Sequence, residues 1–190
     1  MTTPLVLDLE TKYTFAEVGG DHRKLQISVV GIYDYSEDKY ESYREEDLPK
    51  LFPKLEHAQM IVGYNVRKFD MQVLAPYYLG KIESFPVLDL IEEIEKNLGF
   101  RLALDDLARE TLGVKKGGHG LLAINHFREG KWDELIKYCL SDVEITKKLY
   151  EYGKSEGKVF YKDQYGRREI KVNWKDRVKT ETEVNLTIPL

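Results

Sequence analysis

Asp8 and Glu10 stand on alternate positions of the run VLDLET, residues 6–11. In an extended chain, alternate side chains point the same way with Cα atoms about 6.5 Å apart, so the two carboxylates can meet one cation. Asp70 lies in NVRKFDM, residues 65–71, where an apolar run gives way to helical spacing. Tyr138 and Asp142 in YCLSD are four apart, and on a helix they stack on one face about a turn from each other. Taken singly, each has an ordinary structural explanation: a solvated acidic strand face, a helix N-cap, a tyrosine packed near a helical acid. Taken together they are four carboxylates from three distant segments, and burying such a set without countercharge is costly. Two divalent cations about 3.5 to 4 Å apart offset that cost and create a centre able to cleave a phosphodiester bond.

Positioning these groups is the task of the elements around them. Period-two patterning predicts a first strand over 4–10, a second within LQISVVGIYDY (25–35) and a third at KYESYR (39–44), with a turn at Ser36, Glu37 and Asp38. EEDLPKLFPKLEHA (45–58) reads as a short helix or broken turns, because two prolines interrupt its helical spacing. MIVGYN (60–65) and FPVLDL (85–90) supply a fourth and a fifth strand, with a helix at MQVLAPYYL (71–79) interrupted at Pro76. LIEEIEKNLG (90–99) and LALDDLARETLGV (102–114) are helices stopping at Gly99 and Gly113. KKGGHG (115–120) is a flexible loop. WDELIKYCLSDVEITKKLYEYG (132–153) has the apolar spacing of a long amphipathic helix. KVFYKDQYGRREIKVNW (158–174) returns to period two as a hairpin turning at Asp163–Gly166, either an addition to the sheet or a small projecting ribbon. The order predicts an α/β fold: a central mixed β-sheet flanked by helices, with a C-terminal β-hairpin extension. Residues 1–155 form the main domain and 156–190 the hairpin and tail.

With 190 residues, 42% of them hydrophobic and 33% charged, the chain has enough apolar material for one ordinary core. The net charge of −4 argues against indiscriminate binding to polyanions. It is uneven, however: residues 147–179 carry 11 Lys and Arg against five Asp and Glu. Such a basic strip either guides a phosphate backbone or is a solvated face. A single cysteine, Cys139, excludes an intrachain disulfide and a thiolate metal cluster. No apolar run approaches membrane-spanning length and no secretory leader is evident, so the expectation is a cytoplasmic protein without membrane contact. His22, His57 and His126 have no metal-ligand spacing.

The three acidic motifs resemble, in order and spacing, those of the DnaQ-like 3′–5′ exonucleases of the ribonuclease H-like superfamily, specifically the DEDDy group. Asp-x-Glu is matched by DLE, Asn-x(2–3)-Phe/Tyr-Asp by NVRKFD, and Tyr-x-x-x-Asp by YCLSD. The likeness covers roughly residues 4–152 and is nearest to the exonuclease domains of family B polymerases and small stand-alone relatives. The sister DEDDh group needs a histidine five residues before the last Asp, where this chain has Lys137. The resemblance implies two divalent metal ions, Mg²⁺ or Mn²⁺, held by Asp8, Glu10, Asp70 and Asp142. In it Asp8 bridges the ions, Glu10 and Asp142 complete the site that activates water, and Asp70 serves the second ion beside the leaving 3′ oxygen. Tyr138 orients the water or the scissile phosphate; a phenol titrating near 10 is a poor base at neutral pH, roughly as for any tyrosine.

The same resemblance implies that Leu9 and Thr11 cradle the terminal nucleotide. Asn65 bridges loop backbone groups, Phe69 reads either as core or as substrate contact, and Lys115 and Lys116, with His119, either touch phosphate or belong to an ordinary surface loop. Asp89 is either a helix cap or a contact to the site. The implied substrate is the 3′ end of single-stranded DNA, or RNA, with release of nucleoside 5′-monophosphates. The alternative is a non-catalytic nucleic-acid-binding module, or an accessory subunit of a separate polymerase or helicase chain docked through the hairpin.

Overall fold

A computed structural model of the chain describes residues 3–114 and 120–174. Lys115, Lys116, His119 and the tail beyond Trp174 lie outside the described residues. The sheet has five strands in the order β3-β2-β1-β4-β5, formed by β1 (Leu5–Thr11), β2 (Ile27–Asp34), β3 (Lys39–Arg44), β4 (Ile61–Gly63) and β5 (Val87–Asp89). The first three pair antiparallel, while β1, β4 and β5 run parallel. The sheet is therefore mixed, as the sequence predicts, and β1 is the strand at which the two pairing modes meet. Ligand sites of open α/β sheets gather beyond the carboxyl ends of strands at such switch points.

Alternation along β1 sorts its side chains onto two faces. Leu5, Leu7 and Leu9 pack with Ile27, Ile32, Leu51 and Leu55 in a core covered by α1 (Leu48–His57) and α2 (Asp70–Leu74). Val6 faces the other layer, with Val62, Leu107, Val143 and Leu149. That layer holds α3 (Leu90–Leu98), α4 (Leu104–Leu112), α5 (Gly120–Arg128) and α6 (Trp132–Glu156). All eight residues of β2 are buried, because both faces are covered, which explains why its sequence is a run of apolar residues rather than an alternation.

Several elements differ from the sequence expectation. MIVGYN yields only Ile61–Gly63 and FPVLDL only Val87–Asp89; their parallel ladders are two and three residue pairs long. Beyond Gly63 the backbone leaves the sheet, and Asn65 adopts φ 67°. The helix expected over 71–79 starts one residue earlier and ends at Leu74, continuing as a 3-10 turn, Ala75–Tyr77, at Pro76. The two prolines of 45–58 are accommodated in α1, Pro49 in its first turn and Pro53 inside it. Leu121 to Arg128, for which no element was expected, is helical.

The hairpin forms a separate two-stranded sheet of β6 (Lys158–Asp163) and β7 (Gly166–Lys171). Val159, Ile170, Val172 and Trp174 join the core on the α6 side. Thr111 of α4 grips its edge, its hydroxyl donating to the Phe160 carbonyl and accepting from the Phe160 N–H at 3.1 and 2.9 Å. Among the described residues no helix is long and apolar enough to cross a membrane.

Helix α6 sits on the sheet at Gly31 of β2. A Cβ there would lie 2.9 Å from Cys139 Sγ and 3.1 Å from Leu140 and Val143, so the absence of a side chain sets the depth of the helix. Gly31→Ala forces α6 outward, and overpacking of this kind costs about 1–3 kcal/mol. Chemical denaturation of the variant is expected to show a loss in that range; an unchanged midpoint would mean that the helix is not seated on that glycine.

Candidate active site

The motif residues converge at the carboxyl end of β1. Asp8 and Glu10 lie half-buried on the face of the strand turned toward α6, and Asp142 is buried, 3% exposed, on α6 itself. One carboxylate oxygen from each of the three lies within 4.8 Å of the others. The strand ends there in an irregularity: Glu10 pairs with Val29 but Thr11 with Ile27, so β2 carries one residue more than its partner. Bulges of this kind bend a strand end and re-aim its side chains. Cys139, one residue after Tyr138, points under the site and donates from Sγ to the Asp8 carbonyl at 3.6 Å. Burial, reinforced by the charges of Asp8, Glu10 and Asp142, pushes its thiol up, which keeps it a neutral packing group.

Asp70 is not an N-cap. It is the first residue of α2, Phe69 occupies the cap position, and the carboxyl is 3% exposed. Burial, followed by the charge of Asp8, drives it well above the usual carboxylate range. Its Oδ1 has no hydrogen-bond partner among the described residues. A buried carboxyl with an idle oxygen, pushed toward its neutral form by a neighbouring acid, fits a position that a cation would satisfy.

The loop carrying Asp70 is held by Asp89. From the end of β5, its Oδ1 accepts the Asn65 N–H at 2.8 Å and the Ile91 N–H at 3.3 Å, and its Oδ2 accepts the Arg67 N–H at 2.9 Å. Burial raises its carboxyl despite these N–H donors. Asp89 is thus the cap of α3 and a clamp on the left-handed turn at Asn65. Asn65 Oδ1 accepts from Arg101, and the Phe69 N–H returns to the Asn65 carbonyl at 3.0 Å. These bonds make the stretch from Asn65 to Asp70 one bonded unit.

A cleft of about 320 Å³ opens over the carboxylates. Its walls include Asp8, Leu9, Glu10, Thr11, Phe69 and Asp142, together with Tyr13, Phe15, Leu121 and Ile124. Thr11 is buried and donates to the Tyr13 carbonyl at 2.9 Å. Phe69 is half-buried: it packs on the core and also meets Phe15 and His22 edge-on, at centroid distances of 5.8 and 6.0 Å. Both readings of Phe69, core and cleft wall, therefore hold. The β1–β2 connection with Tyr13 and Phe15 was not singled out in the sequence, although two aromatics directly after DLET were a visible signal; α5, which supplies Leu121 and Ile124, had none. Tyr138 is buried on α6 beside a second hollow that shares Asp142.

A second acidic group, Asp34, Glu37 and Glu41, has comparable spacing at the far end of the sheet. There Lys54 Nζ sits 3.0, 2.9 and 2.9 Å from the three carboxylates. Burial alone would raise the carboxyl of Glu41, but hydrogen bonds from Lys39, Lys54 and Tyr43 bring it down to about 2. That group already has its cation, and it is structural.

A family model described as RNase_H superfamily matches residues 5–153. No curated protein sequence matches the chain. Among solved structures, the chain is similar to a family B DNA polymerase from the hyperthermophilic archaeon Pyrobaculum calidifontis, with a TM-score of 0.60 and 17% identity over 79% of this chain. It is also similar to Trypanosoma brucei RNase D, with a TM-score of 0.55 and 16% identity over 80% of this chain. The chain spans 24% of the polymerase and 57% of RNase D. At these identities the likeness is one of fold.

Replacing Asp89 with Ala leaves three backbone N–H groups without their acceptor, at a cost of about 1–3 kcal/mol for each buried donor left unpaired. Urea denaturation is expected to show a loss of at least that size. Near-native stability in the variant would show that Asp89 does not hold the loop.

Proposed function

The chain belongs to the RNase_H superfamily, and we propose that within it the protein is a metal-dependent 3′–5′ exonuclease acting on single-stranded DNA or RNA. The observation that carries this reading is the convergence of Asp8, Glu10 and Asp142 within 4.8 Å, with buried Asp70 beside Asp8. The donor set is all oxygen, which suits Mg²⁺ or Mn²⁺. Asp8, Glu10 and Asp142 would hold one ion, and Asp70, through its idle oxygen, a second shared with Asp8. Bound there, divalent cations supply neutralisation of the phosphate charge and a lowered pKa for water.

The residues of the chain supply the rest. The cleft walls formed by Leu9, Thr11, Phe15 and Phe69 receive the terminal nucleoside, with apolar and aromatic surface for its base. Tyr138, one helical turn from Asp142, places its hydroxyl to donate to the scissile phosphate or to the attacking water. Water adds to phosphorus and the bond to the upstream 3′ oxygen breaks. The strand keeps a 3′ hydroxyl, and a nucleoside 5′-monophosphate departs. The two fold neighbours are a DNA polymerase and an RNase D, so DNA and RNA are both substrates to try. A separate polymerase or helicase chain is a proposed partner for the ribbon β6–β7.

Degradation of 5′-labelled single-stranded DNA and RNA, with EDTA, Mg²⁺ or Mn²⁺, tests the proposal. A ladder that shortens from the 3′ end is expected only with metal. Asp8→Ala and Asp142→Ala are expected to lower the rate by at least about 10³-fold, the scale of losing a group that stabilises the transition state, while Tyr138→Phe retains partial activity. Activity in Asp8→Ala equal to that of the unmodified protein would overturn the site assignment, and intact substrates with folded protein would overturn the exonuclease reading.

A further inference from the structure

Asp142 lies on the boundary between two hollows. On one side is the cleft with Asp8, Glu10 and the aromatic wall. On the other is a hollow of about 270 Å³ whose lining includes Leu122, His126, Glu134, Lys137 and Ser141 besides Tyr138 and Asp142 itself. Helix α5 stands over both: Leu121 and Ile124 face the first, Leu122 and His126 the second. Leu121 and Leu122 remain 63% and 38% exposed, two large apolar side chains uncovered at the rims of the two hollows.

The two sides differ in chemistry. The first combines carboxylates with apolar and aromatic walls. The second offers an ammonium, an imidazole and a hydroxyl from Lys137, His126 and Ser141, against two acids, Glu134 and the shared Asp142. Lys137 is exposed, and among the described residues it enters no hydrogen bond or ion pair. By contrast Lys131, just before α6, and Lys147 and Lys148, further along it, are each engaged with a glutamate. An uncommitted lysine next to a centre that handles phosphate is placed to neutralise a second phosphate.

A phosphodiester bond has a nucleoside on each side. If the bond to be cut lies over Asp142, and the terminal nucleoside fills the aromatic cleft, the strand continues into the second hollow. We propose that this hollow is the subsite for the nucleotide upstream of the scissile bond: Lys137 contacts that nucleotide's own 5′ phosphate, His126 and Ser141 offer it hydrogen-bond donors, and Leu122 packs against its sugar and base. The assignment deepens the exonuclease reading above and rests on it. It gives the strand a direction across the protein, entering past α6 and ending at the aromatic wall.

The test compares two substrates. One is a single-stranded oligonucleotide; the other is the p-nitrophenyl ester of thymidine 5′-monophosphate, which has the scissile phosphate and the terminal nucleoside but nothing upstream. With Lys137→Ala, kcat/KM on the oligonucleotide is expected to fall about tenfold, mainly through KM, and about a hundredfold with Lys137→Glu; on the ester both variants stay within about twofold of the unmodified protein. The oligonucleotide's KM is also expected to depend less steeply on salt in Lys137→Ala, because one phosphate contact and its released counterion are gone. Equal losses on both substrates, or no loss on either, would overturn the subsite while leaving the exonuclease reading intact. Failure of the unmodified protein to turn over both substrates with Mg²⁺ or Mn²⁺ would instead overturn the exonuclease reading, and the subsite with it.

Discussion

Like charges held close together, at the end of a strand walled by core on both sides, are the constraint on which this structure turns. Asp8, Glu10 and Asp142 bring oxygens within 4.8 Å of one another, and Asp70 is buried where the charge of Asp8 reaches it. Such a group repels itself, so the backbone beneath it has to be fixed by other means. The sheet fixes β1 through its seven paired positions with β2. Gly31 fixes the height of α6, which carries Asp142 and Tyr138. The three N–H bonds to Asp89 fix the loop that ends at Asp70. Each support comes from a different element, and each acts on a different arm of the site.

The contrast with the other acidic group sharpens the point. Asp34, Glu37 and Glu41 are as closely spaced, yet Lys54 lies among them within 3.0 Å of each. That arrangement is complete within the chain and lowers the carboxyl of Glu41. At the other end of the sheet, burial and a neighbouring carboxylate raise Asp70 instead. The same residue types, at similar separations, therefore play opposite parts: one group closes a salt-bridged corner of the fold, and the other is suited to a cation from solution.

What the sequence disclosed follows from which interactions are local. Alternation along VLDLET reported the two faces of β1, and four-residue spacing reported Tyr138 and Asp142 on one helical face, because both patterns are set by backbone geometry. Strand length was misjudged at MIVGYN and FPVLDL since apolarity persists where pairing stops: Tyr64 still packs on the core although the chain has left the sheet. Asp70 read as a possible cap because only tertiary packing decides whether such a carboxyl bonds its own helix or points into a site. Helix α5 was missed for a similar reason. Its apolar residues serve two hollows and the core at once, so they run consecutively from Leu121 to Ile124 and form no single stripe. The clamp by Asp89 spans more than twenty residues and leaves no periodic trace at all.

The four carboxylates come from the first strand, the middle of the chain and the last long helix. No contiguous fragment of the first half contains the complete set. While the polypeptide is being made, β1 can pair with β2, and β2 with β3, as soon as they emerge, but the acidic cluster is not assembled until α6 has left the ribosome and docked at Gly31. A chain that lacks α6 therefore carries only part of the proposed centre, and the docking of that one helix brings Asp142 to Asp8 and Glu10.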